Sequence, residues 1–132
     1  MQSSALLERA RAARGRAYAP YSGFSVGAAL LVDGDRVFEG ANVENASYGL
    51  SICAERAAAV AAVSNGHREF RAIAIAGPDS AATMPCGACR QFLNEFNPKL
   101  EIVYTAPSGP VTTTLSRLLP DAFGPEALAA SE

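Results

Sequence analysis

The run CAERAAAVAAV, residues 53–63, is the strongest helix signal in the sequence, because alanine is the best helix former. Its small side chains also suit close burial against a neighbouring element. We predict a helix from Ile52 to Val63, ended by Asn65-Gly66, where the glycine favours the backbone conformation of a helix end. Phe70 to Ala76 predicts a short apolar strand, and Cys86 to Phe96 predicts a second helix. This alternation of helices and strands indicates an α/β fold.

The flanking sequence predicts one more helix and three more strands. Ser3 or Ser4 can cap a helix that Pro20 stops. The predicted strands are Phe24 to Val32, Arg36 to Glu44 and Leu100 to Tyr104, the first two joined by the turn Asp33-Gly34, while the Pro-, Gly- and Thr-rich segment that follows is interpreted as a loop. We therefore expect one domain over residues 1–132, a three-layer αβα sandwich. Its mixed sheet of about five strands should have an antiparallel hairpin at one end and parallel strands at the other.

Composition and charge restrict the class of function. The 132 residues, 49% of them hydrophobic and 18% charged, have the make-up of one ordinary globular domain. A net charge of −2 gives no positive field for nucleic acid, and no apolar run approaches the ~20 residues that span a bilayer. Four N-terminal arginines suit the outer face of the first helix better than a targeting arm: Arg9, Arg11, Arg14 and Arg16. We expect a cytoplasmic protein whose partners are neither nucleic acid nor membrane.

The cysteines indicate metal or redox chemistry. They are three in number, two of them have the C-x-x-C spacing of Cys86 and Cys89, and no secretion signal precedes them. Both of those sulfurs lie on one face of the first turn of a predicted helix. Cys53 opens the preceding helix, so the three thiols can meet where both helices start, and the positive helix ends lower thiol pKa values.

The number of ligands favours a catalytic metal over a structural one. A structural zinc normally has four protein ligands, whereas a catalytic zinc has three and an open position. The sequence contains no fourth cysteine, and its one histidine, His67, lies in a polar turn where we expect it at the surface. A redox dithiol and two buried small hydrophobes remain alternatives for Cys86 and Cys89.

Glu55 lies two residues after Cys53, in the first turn of the same predicted helix. There it can face the open side of a metal without being a ligand. A carboxylate in that place can take a proton from water and later return it to a leaving group. A glutamate that only complements the helix dipole is the alternative interpretation.

Together these motifs resemble those of a known family. Cys53-Ala54-Glu55 followed by Pro85-Cys86-Gly87-Ala88-Cys89-Arg90 resembles the zinc deaminase pattern H-x-E then P-C-x-x-C, with cysteine in place of histidine. The likeness extends over Tyr21-Ser22-Gly23-Phe24-Ser25-Val26-Gly27-Ala28-Ala29, over residues 40–48 and over residues 118–123. Over nearly the whole chain the sequence resembles the small homotetrameric cytidine deaminases, and blasticidin S deaminases share the metal motif.

The resemblance implies the chemistry. Cys53, Cys86 and Cys89 would hold one Zn²⁺ per chain. Glu55 would move the protons while water attacks C4 of cytidine or deoxycytidine, giving uridine or deoxyuridine and ammonia, in pyrimidine salvage. Arg56, on the helix face of Cys53, would donate hydrogen bonds to the sulfurs and compensate their charge.

The resemblance also implies the substrate contacts. Asn42 and Glu44 would hold the ribose 3'-hydroxyl, Phe24 would pack on the pyrimidine, and the backbone of Ala54 would contact the base edge. Positions 42 and 44 of a strand point the same way, which agrees with a shared contact. Phe123 would reach the site of a neighbouring subunit of a homotetramer, with Tyr48 near an intersubunit contact.

Without the resemblance, Asn42 and Glu44 would be interpreted as solvated strand-edge residues and Phe24 as core. Arg90 is not assigned to the site. Two other classes of function remain open. One is a deaminase of bases in nucleic acid, which the acidic balance and short chain disfavour. The other is an interaction module that a zinc ion only stabilises.

Overall fold

The centre of the fold is a five-stranded mixed sheet. The computed structural model describes residues 1–129, so residues 130–132 of the predicted domain lie outside the described residues. The strands are β1 (Gly27–Val32), β2 (Val37–Ala41), β3 (Phe70–Ala76), β4 (Glu101–Tyr104) and β5 (Val111–Thr114), in the order β2-β1-β3-β4-β5. The predicted α/β fold with a terminal hairpin is confirmed. The parallel part is limited to β3 and β4, because β5 returns antiparallel to β4.

Helices cover both faces of the sheet, as the three-layer prediction requires. They are α1 (Ser3–Arg14), α2 (Ala54–Ser64), α3 (Gly87–Asn94), α4 (Leu115–Leu118) and α5 (Pro125–Ala129). On one face, Leu6, Leu7 and Ala10 of α1 form a buried cluster with alternate residues of β1 and β3. On the other face, the alanines of α2 join the core together with Leu93 of α3.

The alanine-rich composition of α2 allows this helix to lie very close to β2. A Cβ atom on Gly40 of β2 would be only 2.5 Å from the backbone nitrogen of Ala58. Any other residue at position 40 would therefore push the helix away from the sheet. The same residue types that predict the helix thus also set its distance from the strand.

The topology explains why two helices begin at the same place. β2 and β3 are each antiparallel to β1, so they run in the same direction. α2 follows β2 and α3 follows β3. Both helices therefore start at the carboxyl ends of these strands, which is the edge where open α/β sheets usually carry their sites.

Several predicted boundaries differ from the structure. Gln2 occupies the N-cap position of α1, where Ser3 or Ser4 was expected, and the helix ends at Arg14, well before Pro20. β1 begins at Gly27 and β2 ends at Ala41, so residues 21–26 and 42–44 lie outside the regular strands. β5 falls in the segment interpreted as a loop. Within residues 1–129, no helix combines the length and the apolar character needed to cross a membrane.

His67 differs from its expected surface position. Its side chain is 18% exposed, and Nδ1 lies 3.0 Å from Oδ1 of Asp33 in the turn between β1 and β2. The ring also packs near Phe38, with centroids 5.4 Å apart. His67 therefore connects the end of α2 to the hairpin.

Candidate active site

The three cysteines converge where α2 and α3 begin. Cys53 and Cys86 occupy the N-cap positions of these helices, and neither helix has a side-chain cap hydrogen bond. The Sγ atoms of Cys53 and Cys86 are 3.6 Å apart, those of Cys86 and Cys89 are 3.3 Å apart, and all three lie within 4.8 Å of one another. All three cysteines are free thiols.

This donor set fits zinc. Zn–S bonds of about 2.3 Å at tetrahedral angles separate sulfurs by about 3.8 Å, close to the spacing of the three thiols. Three soft sulfur donors select zinc over the hard cations magnesium and calcium. Among residues 1–129, this is the one group of three potential ligands that converges in this way, and it leaves a fourth tetrahedral position to water.

Hydrogen bonds and charge stabilise thiolate at this place. Nη2 of Arg56 lies 3.7 Å from Sγ of Cys53. A hydrogen bond with Cys89, reinforced by the Arg56 guanidinium, lowers the pKa of Cys53 to about 5. The same contact, together with burial, raises the pKa of Cys89. Arg56 thus lies where its charge offsets that of the sulfur cluster.

Glu55 is buried beside the cysteines. Glu55 is 4% exposed and belongs to the first turn of α2. Burial raises the pKa of Glu55 to about 7, with the negative charge of Cys53 adding to the effect. A carboxyl group with a pKa near neutrality can both accept and donate a proton at physiological pH.

A cavity of about 360 Å³ opens onto Cys53, Cys86 and Glu55. Its wall contains most of the residues that the sequence assigned to substrate binding, namely Phe24, Asn42, Glu44 and Ala54. Phe24 is 40% exposed and Ala54 is fully buried. Met84 and Thr83, which the sequence analysis did not single out, complete the wall beside Cys86.

Two of the residues predicted to bind substrate do not line this cavity. Tyr48 lines a neighbouring cavity of similar size, which shares Ser22 and Glu44 with the first. Its side chain is 75% exposed and meets Tyr21 edge-on, with ring centroids 5.9 Å apart. Phe123 is 61% exposed and does not line either cavity of this chain.

Asn42 and Glu44 also hold the loop of residues 21–26. Asn42 accepts a hydrogen bond from the Val26 nitrogen at 2.8 Å and donates one to the Phe24 carbonyl at 2.9 Å. Glu44 accepts bonds from the nitrogens of Tyr21 and Ser22 at 3.0 and 3.1 Å, and from the Ser22 hydroxyl. These contacts, led by the Ser22 hydroxyl, lower the pKa of Glu44. Glu44 is therefore ionised at neutral pH.

A second set of buried contacts holds the loop of residues 77–85, which leads from β3 to Cys86. The Gly77 nitrogen donates to the buried Thr105 hydroxyl at 3.0 Å, and the Thr83 nitrogen donates to the Thr105 carbonyl at the same distance. A Cβ atom on Gly77 would lie 2.0 Å from the Thr83 hydroxyl oxygen, so only glycine fits there. Sequence reasoning missed Thr105, because no local pattern indicates a contact across 28 residues.

Arg90, in α3, contacts the end of the same loop. Its Nε donates to the Pro85 carbonyl at 2.8 Å, and Nη1 donates to the Leu118 carbonyl at 2.9 Å. Pro85 immediately precedes Cys86. Arg90 thereby connects the cysteine loop to the end of α4.

The fold and the cysteine site define a class of protein, and comparison with known sequences identifies it. Residues 1–105 match the family described as the cytidine and deoxycytidylate deaminase zinc-binding region. The chain belongs to this family, and zinc is its metal.

Relatives over nearly the whole chain carry one particular name. A cytidine deaminase of Halalkalibacterium halodurans is 47% identical over 128 residues, 96% of this chain and 97% of its own length. One of Sporosarcina psychrophila is 42% identical over 130 residues, 97% of this chain and 96% of its own. The crystal structure of cytidine deaminase from Burkholderia pseudomallei has a TM-score of 0.88 at 51% identity, covering 93% of this chain and all of that chain.

Proposed function

We propose that this chain is a cytidine deaminase, which hydrolyses cytidine and deoxycytidine to uridine and deoxyuridine with release of ammonia. The observation that carries the proposal is one cavity whose wall contains two cysteines of the three-thiol site, the buried carboxyl group of Glu55 and the polar side chains of Asn42 and Glu44. The proposed catalytic domain covers residues 1–132, with Cys53, Cys86 and Cys89 as the metal ligands.

Glu55 performs the proton transfers in this proposal. Zinc held by the three thiolates supplies Lewis acidity that makes water a nucleophile near neutral pH. Glu55 takes a proton from the attacking water and delivers it to N3 of the pyrimidine as the C4–O bond forms. It then transfers the second proton of that water to the amino group, and the C4–N bond breaks to release ammonia. A pKa near 7 suits a group that must act as base and acid in one cycle.

The Ala54 backbone and Phe24 define the place of the base in the proposed complex. Ala54 is the first residue of α2, between Cys53 and Glu55, and lines the cavity. A backbone group there is suited to the polar edge of a pyrimidine. Phe24 offers a ring at the cavity wall for the face of the base.

The remaining hydrogen-bonding capacity of Asn42 and Glu44 fits one sugar hydroxyl. A carboxylate accepts about four hydrogen bonds, and Glu44 already accepts two at Oε1 and one at Oε2. Asn42 uses one N–H and one lone pair on the 21–26 loop, which leaves one N–H. A hydroxyl that donates to Oε2 of Glu44 and accepts from Asn42 satisfies both, as proposed for the ribose 3'-hydroxyl.

The cavity walls favour a nucleoside over a nucleotide or a nucleic acid strand. Among the described residues, none of those lining the cavity at the cysteines or its neighbour is lysine, arginine or histidine, and Glu44 lines both. A phosphate group would therefore lie near a carboxylate without a compensating cation. This observation favours cytidine over deoxycytidylate, the other substrate in the family's name.

The proposal includes a homotetramer in the cytoplasm that acts in pyrimidine salvage. Large side chains remain exposed, among them Leu50 and the two tyrosines of the neighbouring cavity, Tyr21 and Tyr48, as expected of a surface that another subunit covers. Phe123, exposed on this chain, would reach the cavity of a neighbour, and Tyr48 would lie near the subunit contact. Three thiols that must stay reduced to bind zinc suit the cytoplasm.

Ammonia release from a panel of substrates tests the proposal. Cytidine and deoxycytidine should be deaminated. A 2',3'-dideoxy analogue should be poorer, and free cytosine should be poorer by a factor on the order of 10³. Deoxycytidylate and blasticidin S should react slowly or not at all. A preference for deoxycytidylate or blasticidin S would reassign the substrate.

The variant Glu44→Ala tests whether Glu44 binds the sugar of the substrate. It should lower kcat/KM for cytidine far more than for cytosine, since only cytidine presents the hydroxyl group. Equal losses for the two substrates would show that Glu44 supports the loop or the base pocket instead.

A further inference from the structure

Ser22 connects two parts of the cavity wall through one hydroxyl group. Its Oγ donates to Oε2 of Glu44 and accepts a hydrogen bond from the Phe24 nitrogen at 3.0 Å. The Ser22 nitrogen donates to Oε1 of the same carboxylate at 3.1 Å. The side chain thus lies between the proposed sugar-binding group and the proposed base-stacking residue.

The direction of these bonds is determined by the chemistry of the groups. An ionised carboxylate only accepts, so the Ser22 hydroxyl must give its one proton to Glu44. Its lone pairs are then free for the Phe24 N–H, and a hydroxyl polarised in this way accepts more strongly. Gly23, between the two residues, has a φ of 68° and adds no side-chain contact. The Gly23 nitrogen donates to the Ala19 carbonyl at 3.0 Å, so the turn has a backbone bond of its own. The placement of Phe24 in addition uses the Ser22 hydroxyl and the Asn42 bond to the Phe24 carbonyl.

We propose that Ser22 is a positioning residue that couples the orientation of the Glu44 carboxylate to the placement of Phe24. The proposal rests on the function given above and adds a residue that acts through these two groups. Since the hydroxyl occupies one side of Oε2, it directs the free lone pair of that oxygen toward the incoming sugar. Binding of the sugar and placement of the base are thereby linked through one side chain.

The coupling predicts that Ser22→Ala weakens substrate binding. Ser22 is exposed and lies outside the sheet and helices, so Ser22→Ala should leave the overall fold and the zinc content intact. Loss of one hydrogen bond to a charged group and one to a backbone N–H should lower kcat/KM for cytidine about tenfold or more. The loss should appear mainly as a higher KM, with kcat within about twofold of wild type, because Glu55 and the cysteines are untouched.

Three variants make the experiment specific. Ser22→Thr keeps the hydroxyl and should restore most of the kcat/KM lost in Ser22→Ala. Ser25→Ala is the matched control, since Ser25 belongs to the same loop but lines a different cavity, next to Arg11 and Arg14. The double variant Ser22→Ala with Glu44→Ala tests whether Ser22 acts through the carboxylate. In the Glu44→Ala background, removal of the Ser22 hydroxyl should cost only about two- to threefold.

The outcomes separate this inference from the proposed function. Wild-type protein that releases no ammonia from cytidine would overturn both. An active wild type with Ser22→Ala unchanged, or with Ser22→Thr no better than Ser22→Ala, would overturn only the role of Ser22. A full tenfold loss that persists in the Glu44→Ala background would show that Ser22 contacts the substrate directly and would also reject the coupling.

Discussion

Replacing Glu55 by glutamine should lower the rate of catalysis but raise the free energy of unfolding, so the two effects of this carboxyl group can be measured separately. Glutamine keeps the shape of the side chain but cannot carry the proton. We expect kcat for cytidine to fall by ~10²- to 10⁴-fold, the range typical of general acid–base catalysis. A loss below tenfold would remove Glu55 from that role.

The effect of the same substitution on stability is favourable, and its size depends on pH. In the folded chain burial raises the pKa of Glu55 from 4.5 to about 7. Between these values the folded state binds the Glu55 proton and the unfolded state does not, so the free energy of unfolding falls as pH rises through this window. The difference in pKa corresponds to about 3 kcal/mol, lost by pH values above 7. Glu55→Gln lacks this titration.

Urea unfolding of protein freed of zinc by a chelator measures the difference. At pH 4.5 wild type and Glu55→Gln should have similar free energies of unfolding, whereas at pH 8 the variant should be more stable by about 3 kcal/mol. The cysteines titrate in both proteins, so the two proteins differ in the titration of Glu55 and in its electrostatic interaction with Cys53 and Cys89. Glu95→Gln, at an exposed position, controls for the removal of a carboxylate. Parallel pH profiles for wild type and Glu55→Gln would refute the argument from burial.

Three further predictions concern the metal and the assembly. Serine at Cys53, Cys86 or Cys89 should reduce zinc, measured by atomic absorption, from about one per chain to a small fraction and should abolish most activity; full zinc content in any of the three would remove that residue as a ligand. Arg56→Ala should lower turnover about 10- to 100-fold while zinc stays bound, and wild-type turnover with an unchanged pH–rate profile would contradict the assignment. Phe123→Ala should lower activity without changing the molar mass of a tetramer in light scattering; a fully active monomer would be incompatible with a shared site.

The sequence predicts best those parts of the site that lie within one helical turn. Cys53 and Glu55 share the first turn of α2, and Cys86 and Cys89 that of α3, so local spacing alone indicates which side chains converge. The order of strands then brings the two helix starts together, and an alternating α/β pattern predicts that arrangement as well.

The missed features depend on contacts between distant segments. β5 is four residues long and lies at the sheet edge, where its ladder with β4 identifies it. Its residues, Val111–Thr114, are all β-branched and favour a strand, but the segment Pro107-Ser108-Gly109-Pro110 before them led the whole run to be interpreted as a loop. Within the 21–26 segment, residues 24–26 were predicted as the start of a strand. In the structure the side chains of Asn42 and Glu44 bond its backbone groups, which removes them from the sheet ladder. His67 was expected at the surface because it lies in a polar turn, and no local pattern indicates its contact with Asp33, 34 residues away.

The position of the cysteines at the two helix starts has a consequence for the time at which the site forms. Cys53 and Cys86 are 33 residues apart, and the chain between them includes all of α2 and β3. A zinc ion bound to both joins these segments as a covalent crosslink would, and so removes the conformational freedom of a long closed loop. During synthesis this crosslink cannot close until Cys86 has left the ribosome, and by then β1, β2 and β3 have all been synthesised. Binding of the metal by all three cysteines is therefore late relative to the synthesis of the central strands.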